Sequence, residues 1–145
     1  MICLIQRVTQ AKVEINQATV GKIGPGLVVL TAFQPDDSSQ NIDRMVHKLL
    51  HYRVFADEDG KMNLNVQQVN GSLLLVPQFT LAANTQKGLR PSFSSSASPD
   101  VASLLFDEFV HKMHGATPEI ETGKFGADMQ VTLTNNGPTT FWLEI

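Results

Sequence analysis

The chain of 145 residues has one cysteine, one tryptophan, one tyrosine and no surplus of positive charge. A single thiol, Cys3, excludes an internal disulfide and any multi-thiolate metal site. It lies in an apolar, strand-like run, where a buried structural thiol is expected rather than a nucleophile. The formal net charge of −3 argues against broad electrostatic wrapping of a duplex. It leaves room for a focal contact with one end of an RNA, because a local patch can oppose the global sign. No apolar run approaches the ~20 residues of a membrane span. The start, "MICLIQRVTQ", is too short in its apolar part to read as a signal peptide, so the cytoplasm is the expected compartment. There is no Gly-rich phosphate loop opening a helix and no Gly-x-Ser-x-Gly elbow. His47 and His51 are spaced i, i+4, but both point away from the apolar stripe of their helix, as do His111 and His114. Without an acidic third ligand at a recognisable spacing they read as solvated, which also weakens a histidine general base. No metal and no cofactor is expected.

What is present fits one domain, residues 1–145, of ordinary globular composition, with 42% apolar residues and 17% charged. The first third reads as a meander: "ICLIQRVT", "AKVEI" with alternating Val13 and Ile15, a turn at Asn16-Gln17, "ATVGKI", then Gly24-Pro25-Gly26. "LVVLTAF" is a continuous apolar run, expected as a strand buried on both faces. Ile42, Met45, Val46, Leu49 and Leu50 form one helical stripe, with Asp36, Asp37 and Ser38 as candidate caps. "HYRVF" and "GSLLLVPQFTL" read as further strands, followed by a long polar loop over residues 82–99 of the kind that is usually functional. A second helix is capped by Ser98, with Pro99 first and Asp100 in its first turn. Val101, Leu104, Leu105, Phe109 and Met113 are its expected inner face and Gly115 its expected stop. Two last strands, "ADMQVTLT" and "TTFWLEI", are expected to be joined by a turn at Asn135-Asn136-Gly137-Pro138. The expected class is α+β: a curved, barrel-like antiparallel sheet with two packed helices.

Three stretches could carry chemistry. In "LVPQFTLA", Gln78 and Thr80 are expected on one side of a strand and Phe79 on the other. Thr80 has no adjacent base, so nucleophilic activation is not indicated. "KGLRPSF" places Lys87 and Arg90 in the long loop, where they could hold phosphates. "DEDGKMN" has a calcium-loop look but lacks the acidic residue at the required offset, and reads as a tight turn.

The ordered set "HYRVFADEDGKMNLNV", "GSLLLVPQFTL", "KGLRPSF", "TGKFGADMQV" and "NNGPTTFWL", with "MICLIQRVTQAKV" at the start, resembles the bacterial D-aminoacyl-tRNA deacylases along the whole chain. The Asn-x-Gly-Pro-x-Thr motif of that family is intact as Asn135, Gly137, Pro138 and Thr140. Its Ser-Gln-Phe-Thr motif is altered: Pro77 stands where serine is usual, before Gln78, Phe79 and Thr80. Proline has neither a hydroxyl nor an amide donor. The resemblance implies hydrolysis of the ester of D-aminoacyl-tRNA; glycyl-tRNA, including that mischarged on tRNA-Ala, has no side chain to clash and is expected to be accepted too. The resemblance also implies a homodimer with composite sites, in which a Gly137-cisPro138 wedge from the partner subunit rejects L-aminoacyl groups. Thr80, Gln78 and Phe79 would be the catalytic residues and Met129 would pack beside the site. Arg7, Lys87 and Arg90 are the candidate contacts to the 3′ end of the tRNA. The alternatives are a non-catalytic small-ligand or RNA-end binding module and a general esterase.

Overall fold

The computed structural model describes residues 1–117 and 119–145. Its organising element is a long strand, β1 (Ile2–Ile15). Along one edge β1 pairs antiparallel with β3 (Gly26–Ala32) and then with β2 (Ala18–Ile23). Along the other edge it pairs with β8 (Gln130–Glu144) over almost its full length. β3 continues the sheet into β6 (Ser72–Pro77), and β6 into β7 (Ile120–Thr122).

The α+β class, the curved barrel-like sheet and the two helices agree with the sequence reading, but the sheet is mixed. β3–β6 and β6–β7 are parallel. The reason lies in the connections: α1 (Ser39–His51) falls between β3 and β6, and α2 (Pro99–Ala116) between β6 and β7. Crossovers of that length return the chain in the same direction. The sheet curls until β2 lies over β6 and β7. A Cβ on Gly21 would stand 3.0 Å from the Thr122 carbonyl oxygen and 3.2 Å from Leu74, so glycine lets the curl close.

The apolar run at β3 is buried on both faces, as its composition suggests. Leu27 and Val29 enter the large core under the helices, while Val28 joins Val8, Val13, Ile23, Leu74 and Val76 inside the curl. Helix α1 buries its expected stripe, Ile42, Met45, Val46, Leu49 and Leu50. Asn41 Oδ1 accepts from the Ser38 amide at 3.0 Å, closing the first turn. Lys112 of α2 ties the helices together through Asp43 (2.6 Å) and Ser39 Oγ (2.7 Å) of α1, and pairs with Glu108 (3.1 Å) within α2.

Helix α2 departs from expectation. It begins at Pro99 after Ser98, but it runs through Gly115 to Ala116. Its buried face is Ala102, Phe106, Phe109 and Met113, leaving Val101 and Leu104 exposed. The helix is apolar on several sides, and the two bulky phenylalanines select which side turns inward. "HYRVF" yields only β4 (Phe55–Ala56), which pairs with β5 (Met62–Leu64). The "DEDG" stretch between them is the tight turn anticipated: Asp57 accepts from the amides of Asp59 and Lys61 and from Asn63.

The largest correction concerns the end of the chain. No hairpin forms at Asn135–Pro138; β8 is one strand running past them. The register jumps from Gln6↔Thr140 to Val8↔Asn135. Two steps on β1 therefore face five on β8, and residues 136–139 are thrown out of the ladder as a bulge. Asn-Gly favours a reversal only when the flanking segments pair with each other; here both pair with β1.

Candidate active site

Strand β6 ends at Pro77, and the chain does not continue as a strand. Residues Phe79–Ala82 form a single 3₁₀ turn. The expected alternation of Gln78 and Thr80 against Phe79 therefore does not hold. The Gln78 amide donates to the Thr31 carbonyl (2.7 Å) and anchors the turn on β3. The Gln78 side-chain amide donates to Thr80 Oγ1. The proline is accommodated without loss. Leu73 donates to Glu119 on the β7 side (2.9 Å) and Gln78 donates to β3, so by alternation the nitrogen of residue 77 faces the β7 side. Strand β7 pairs only as far as Leu75, so no ladder bond is lost at Pro77.

Beyond this strand end lies a cavity of about 630 Å³, lined chiefly by Pro77, Gln78, Phe79, Phe93, Phe125 and Met129. Phe79 is half exposed and meets Phe93 at 5.1 Å between ring centroids. The Lys124 amide donates to the Met129 sulfur at 3.4 Å, holding that side chain against the Gly123 backbone. The N-terminal end of α2 contributes Ser98, Pro99 and Ala102 to the wall. Of the candidate residues, Gln78, Phe79 and Met129 line this cavity; Thr80 follows Phe79 on the turn, exposed and outside the lining. Lys87 and Arg90 sit on the adjoining loop, both exposed.

No ionisable group is hydrogen-bonded to Thr80 among the described residues. All four histidines are exposed, on the two helices. Cys3 is buried against Thr31, and burial pushes its thiol up to about 12. It is inert as a nucleophile.

The second region is the bulge on β8. The Gly137–Pro138 peptide is cis, and both residues are exposed. Asn135 clamps the neck of the bulge. Its Oδ1 accepts from the Thr139 amide (2.6 Å), and its Nδ2 donates to Thr140 Oγ1 (3.0 Å) and to the Thr139 carbonyl (3.3 Å). Gln6 Nε2 also donates to Thr140 Oγ1, at 3.2 Å. Arg7 holds the outer arm: Nε donates to the Asn136 carbonyl (3.1 Å) and Nη1 to the Val54 carbonyl (2.5 Å). Gly137 has φ +142°, and a Cβ there would collide with Thr139 Oγ1 and approach the Arg7 guanidinium to 3.2 Å.

Arg7, the third candidate tRNA contact, has its Nε and Nη1 on two backbone carbonyls of its own chain. The braces Gln6, Asn135 and Thr140 went unassigned a role in the sequence. Asn135 and Thr140 had the motif spacing as a signal, which gains meaning once β1 is known to run alongside; Gln6 had none. The bulge and the Thr80 turn are not neighbours within one chain. In strand order β1 and β3 stand between β8, which carries the bulge, and β6, whose end leads into the Thr80 turn. No residue of the bulge lines the cavity.

Residues 4–144 match the family model described as D-Tyr-tRNA(Tyr) deacylase. A D-aminoacyl-tRNA deacylase of Hydrogenovibrio crunogenus is 61% identical, covering 99% of each chain. The protein of the same name from Pasteurella multocida is also 61% identical, over the whole of both chains. A solved structure titled "c-Myc DNA Unwinding Element Binding Protein" superposes with a TM-score of 0.96 at 35% identity, covering 100% of this chain and 99% of the other. A probable eukaryotic D-amino acid tRNA deacylase, 21% identical with a TM-score of 0.87 and covering 99% of this chain and 98% of its own, shares the fold. With the family model spanning nearly every residue and relatives at this identity over full length, the chain belongs to the D-Tyr-tRNA(Tyr) deacylase family.

Proposed function

We propose that this chain hydrolyses the ester bond of D-aminoacyl-tRNA, releasing the D-amino acid and the tRNA, and spares L-aminoacyl-tRNA. The family membership carries the reaction. The observation that supports the proposed mechanism is the hydrogen bond from Gln78 to Thr80 Oγ1. Because Oγ1 accepts that bond, the Thr80 hydroxyl proton points elsewhere and can be donated to the ester carbonyl. Thr80 therefore orients and polarises the carbonyl and is not the nucleophile. Water adds to the carbonyl carbon, the bond from that carbon to the ribose oxygen breaks, and the ribose oxygen recovers the proton. The neighbouring ribose hydroxyl assists the proton transfer, a role no protein base is placed to fill. The substrate is an activated ester, so this modest assistance suffices. The terminal adenosine occupies the cavity beside Phe79, Phe125 and Met129, and Lys87 and Arg90 meet phosphates of the tRNA 3′ end. The reaction belongs to translation quality control in the cytoplasm.

Chirality is read by main chain. D- and L-aminoacyl groups differ only in where the side chain leaves Cα, and a flexible side chain measures that poorly. The braced bulge at Gly137–Pro138 is a stiffer gauge, since its neck and outer arm are both hydrogen-bonded. Set into the space an L side chain would occupy, it excludes L substrates by collision. That no residue of the bulge lines this chain's own cavity supports a homodimer in which each bulge completes the partner's site. The free edge of β8 and the half-exposed Trp142 on it also favour cover by a second copy. The experiment is deacylation of D-Tyr-tRNA and L-Tyr-tRNA by the purified protein. Cleavage of the first alone is expected. Cleavage of both would mark a general esterase, and cleavage of neither a binding module.

A further inference from the structure

We propose that residues 84–92 form a finger that grips the single-stranded 3′ end of the RNA, with Leu89 packed on the face of a base between two phosphate contacts. This rests on the deacylase reading and specifies how the substrate is held outside the cavity.

The loop is a built object. Asn84 and Ser92 pair as a two-residue antiparallel bridge, with N–H···O distances of 2.7 and 3.0 Å. Asn84 Oδ1 accepts from the Gln86 amide at 3.0 Å, and Gly88 has φ +73° at the tip. The root is tied down as well. Ser95 Oγ donates to the Ala82 carbonyl (2.6 Å) and the Ala97 amide to the Phe33 carbonyl (2.9 Å). One residue beyond the bridge, Phe93 lines the cavity, and four residues before it stands Thr80.

The tip carries Lys87, Leu89 and Arg90. Leu89 is fully exposed, at 103%. Neither cation takes part in an ion pair among the described residues. The sequence has no acidic residue between Asp59 and Asp100, so this stretch is locally positive in a chain of net charge −3. An apolar side chain flanked by two unneutralised cations suits a partner that offers flat apolar faces and anionic links in alternation, which describes single-stranded nucleic acid. Seven residues separate the paired ends, so the tip stands at most ~12 Å from its root. That reach covers the nucleotides next to the acylated adenosine.

The test compares three substrates carrying the same D-amino acid: an acylated adenosine, an acylated CCA trinucleotide and the whole acylated tRNA. The K87A/R90A double variant is expected to lose at least tenfold in kcat/KM, chiefly through KM, on both the trinucleotide and the tRNA. On the adenosine it should lose no more than twofold. Its dependence of log kcat/KM on log salt should flatten by about 1.4, two contacts at ~0.7 each. Leu89→Ala should cost about threefold on the two longer substrates with the salt slope unchanged, and Leu89→Phe should restore it, since aromatic faces stack on bases. Equal losses on all three substrates would overturn the proposal, as would no loss on any. A loss confined to the whole tRNA would overturn it too, by moving the contact to the duplex. If the wild-type protein cleaves none of the three, it is the deacylase reading that fails.

Discussion

The turn that carries Thr80 and the bulge that carries Gly137 are built on opposite principles. The Thr80 turn is held at its two ends, by the Gln78 amide on the Thr31 carbonyl and by Ser95 Oγ on the Ala82 carbonyl, and leaves Phe79 and Thr80 exposed between them. The bulge is exposed at its tip too, but Asn135, Thr140, Gln6 and Arg7 hold it from beneath. On the proposed function the contrast matches two tasks. Hydrolysing an activated ester requires a carbonyl to be oriented, and a single hydroxyl steered by Gln78 can do that. Telling two mirror-related groups apart requires a surface that does not yield. On the proposed reading, the hydrogen bonds are concentrated on the gauge, with fewer on the reacting side.

This comparison can be broken at the bulge with the largest effect. Gly137→Ala places a Cβ against Thr139 Oγ1, so the bulge must move. The ratio of D- to L-aminoacyl-tRNA hydrolysis, measured as kcat/KM on one tRNA, is expected to fall by about 100-fold or more, since excluding a side chain is worth several kcal/mol. Arg7→Ala removes the outer brace but leaves the neck. A fall of about tenfold in the same ratio is expected, consistent with ~1.4 kcal/mol for a charged hydrogen bond to a carbonyl. Thr80→Val acts on the other region. It should lower kcat for D substrates about tenfold, the worth of one orienting bond, with the D/L ratio unchanged. Rapid quench of wild type should trap no acyl-enzyme; a trapped acyl group on Thr80 would restore the nucleophile.

The smallest effect lies outside both regions. Hydrogen bonds from Asn63, Lys61 and Asp59 hold the Asp57 carboxyl below its ordinary value of 3.8. Its folded pKa is depressed, so its contribution to stability is present above 3.8 and is lost as pH falls through the folded value. Asp57→Asn should lower Tm slightly at pH 7, with the difference from wild type shrinking as pH falls below 3.8. Chirality selection should not change in either direction.

Much of the scaffold was legible in the sequence because it depends on local pattern. The α1 stripe, the Ser98-Pro99 start of α2 and the doubly buried β3 run each follow from spacing alone. The readings that failed depend on what lies next door. Asn136-Gly137-Pro138 carries the signal of a hairpin turn, and only the long pairing of β1 with β8 turns it into a bulge. Gln78 and Thr80 suggested strand alternation because the change to a 3₁₀ turn follows an anchor on Thr31, a residue of another strand. The inner face of α2 was ambiguous because Val101, Leu104 and Leu105 are as apolar as the residues that won.

The central claim is that a braced piece of backbone measures the space beside Cα. It is tested most directly by loading one tRNA with D-alanine, with glycine and with L-alanine and comparing their hydrolysis by the pure protein. A purely steric gauge predicts that the D-alanyl and glycyl esters are both cleaved while the L-alanyl ester survives. If glycine is instead refused along with L-alanine, the enzyme requires a D side chain to be held, and exclusion by the bulge is not how handedness is read.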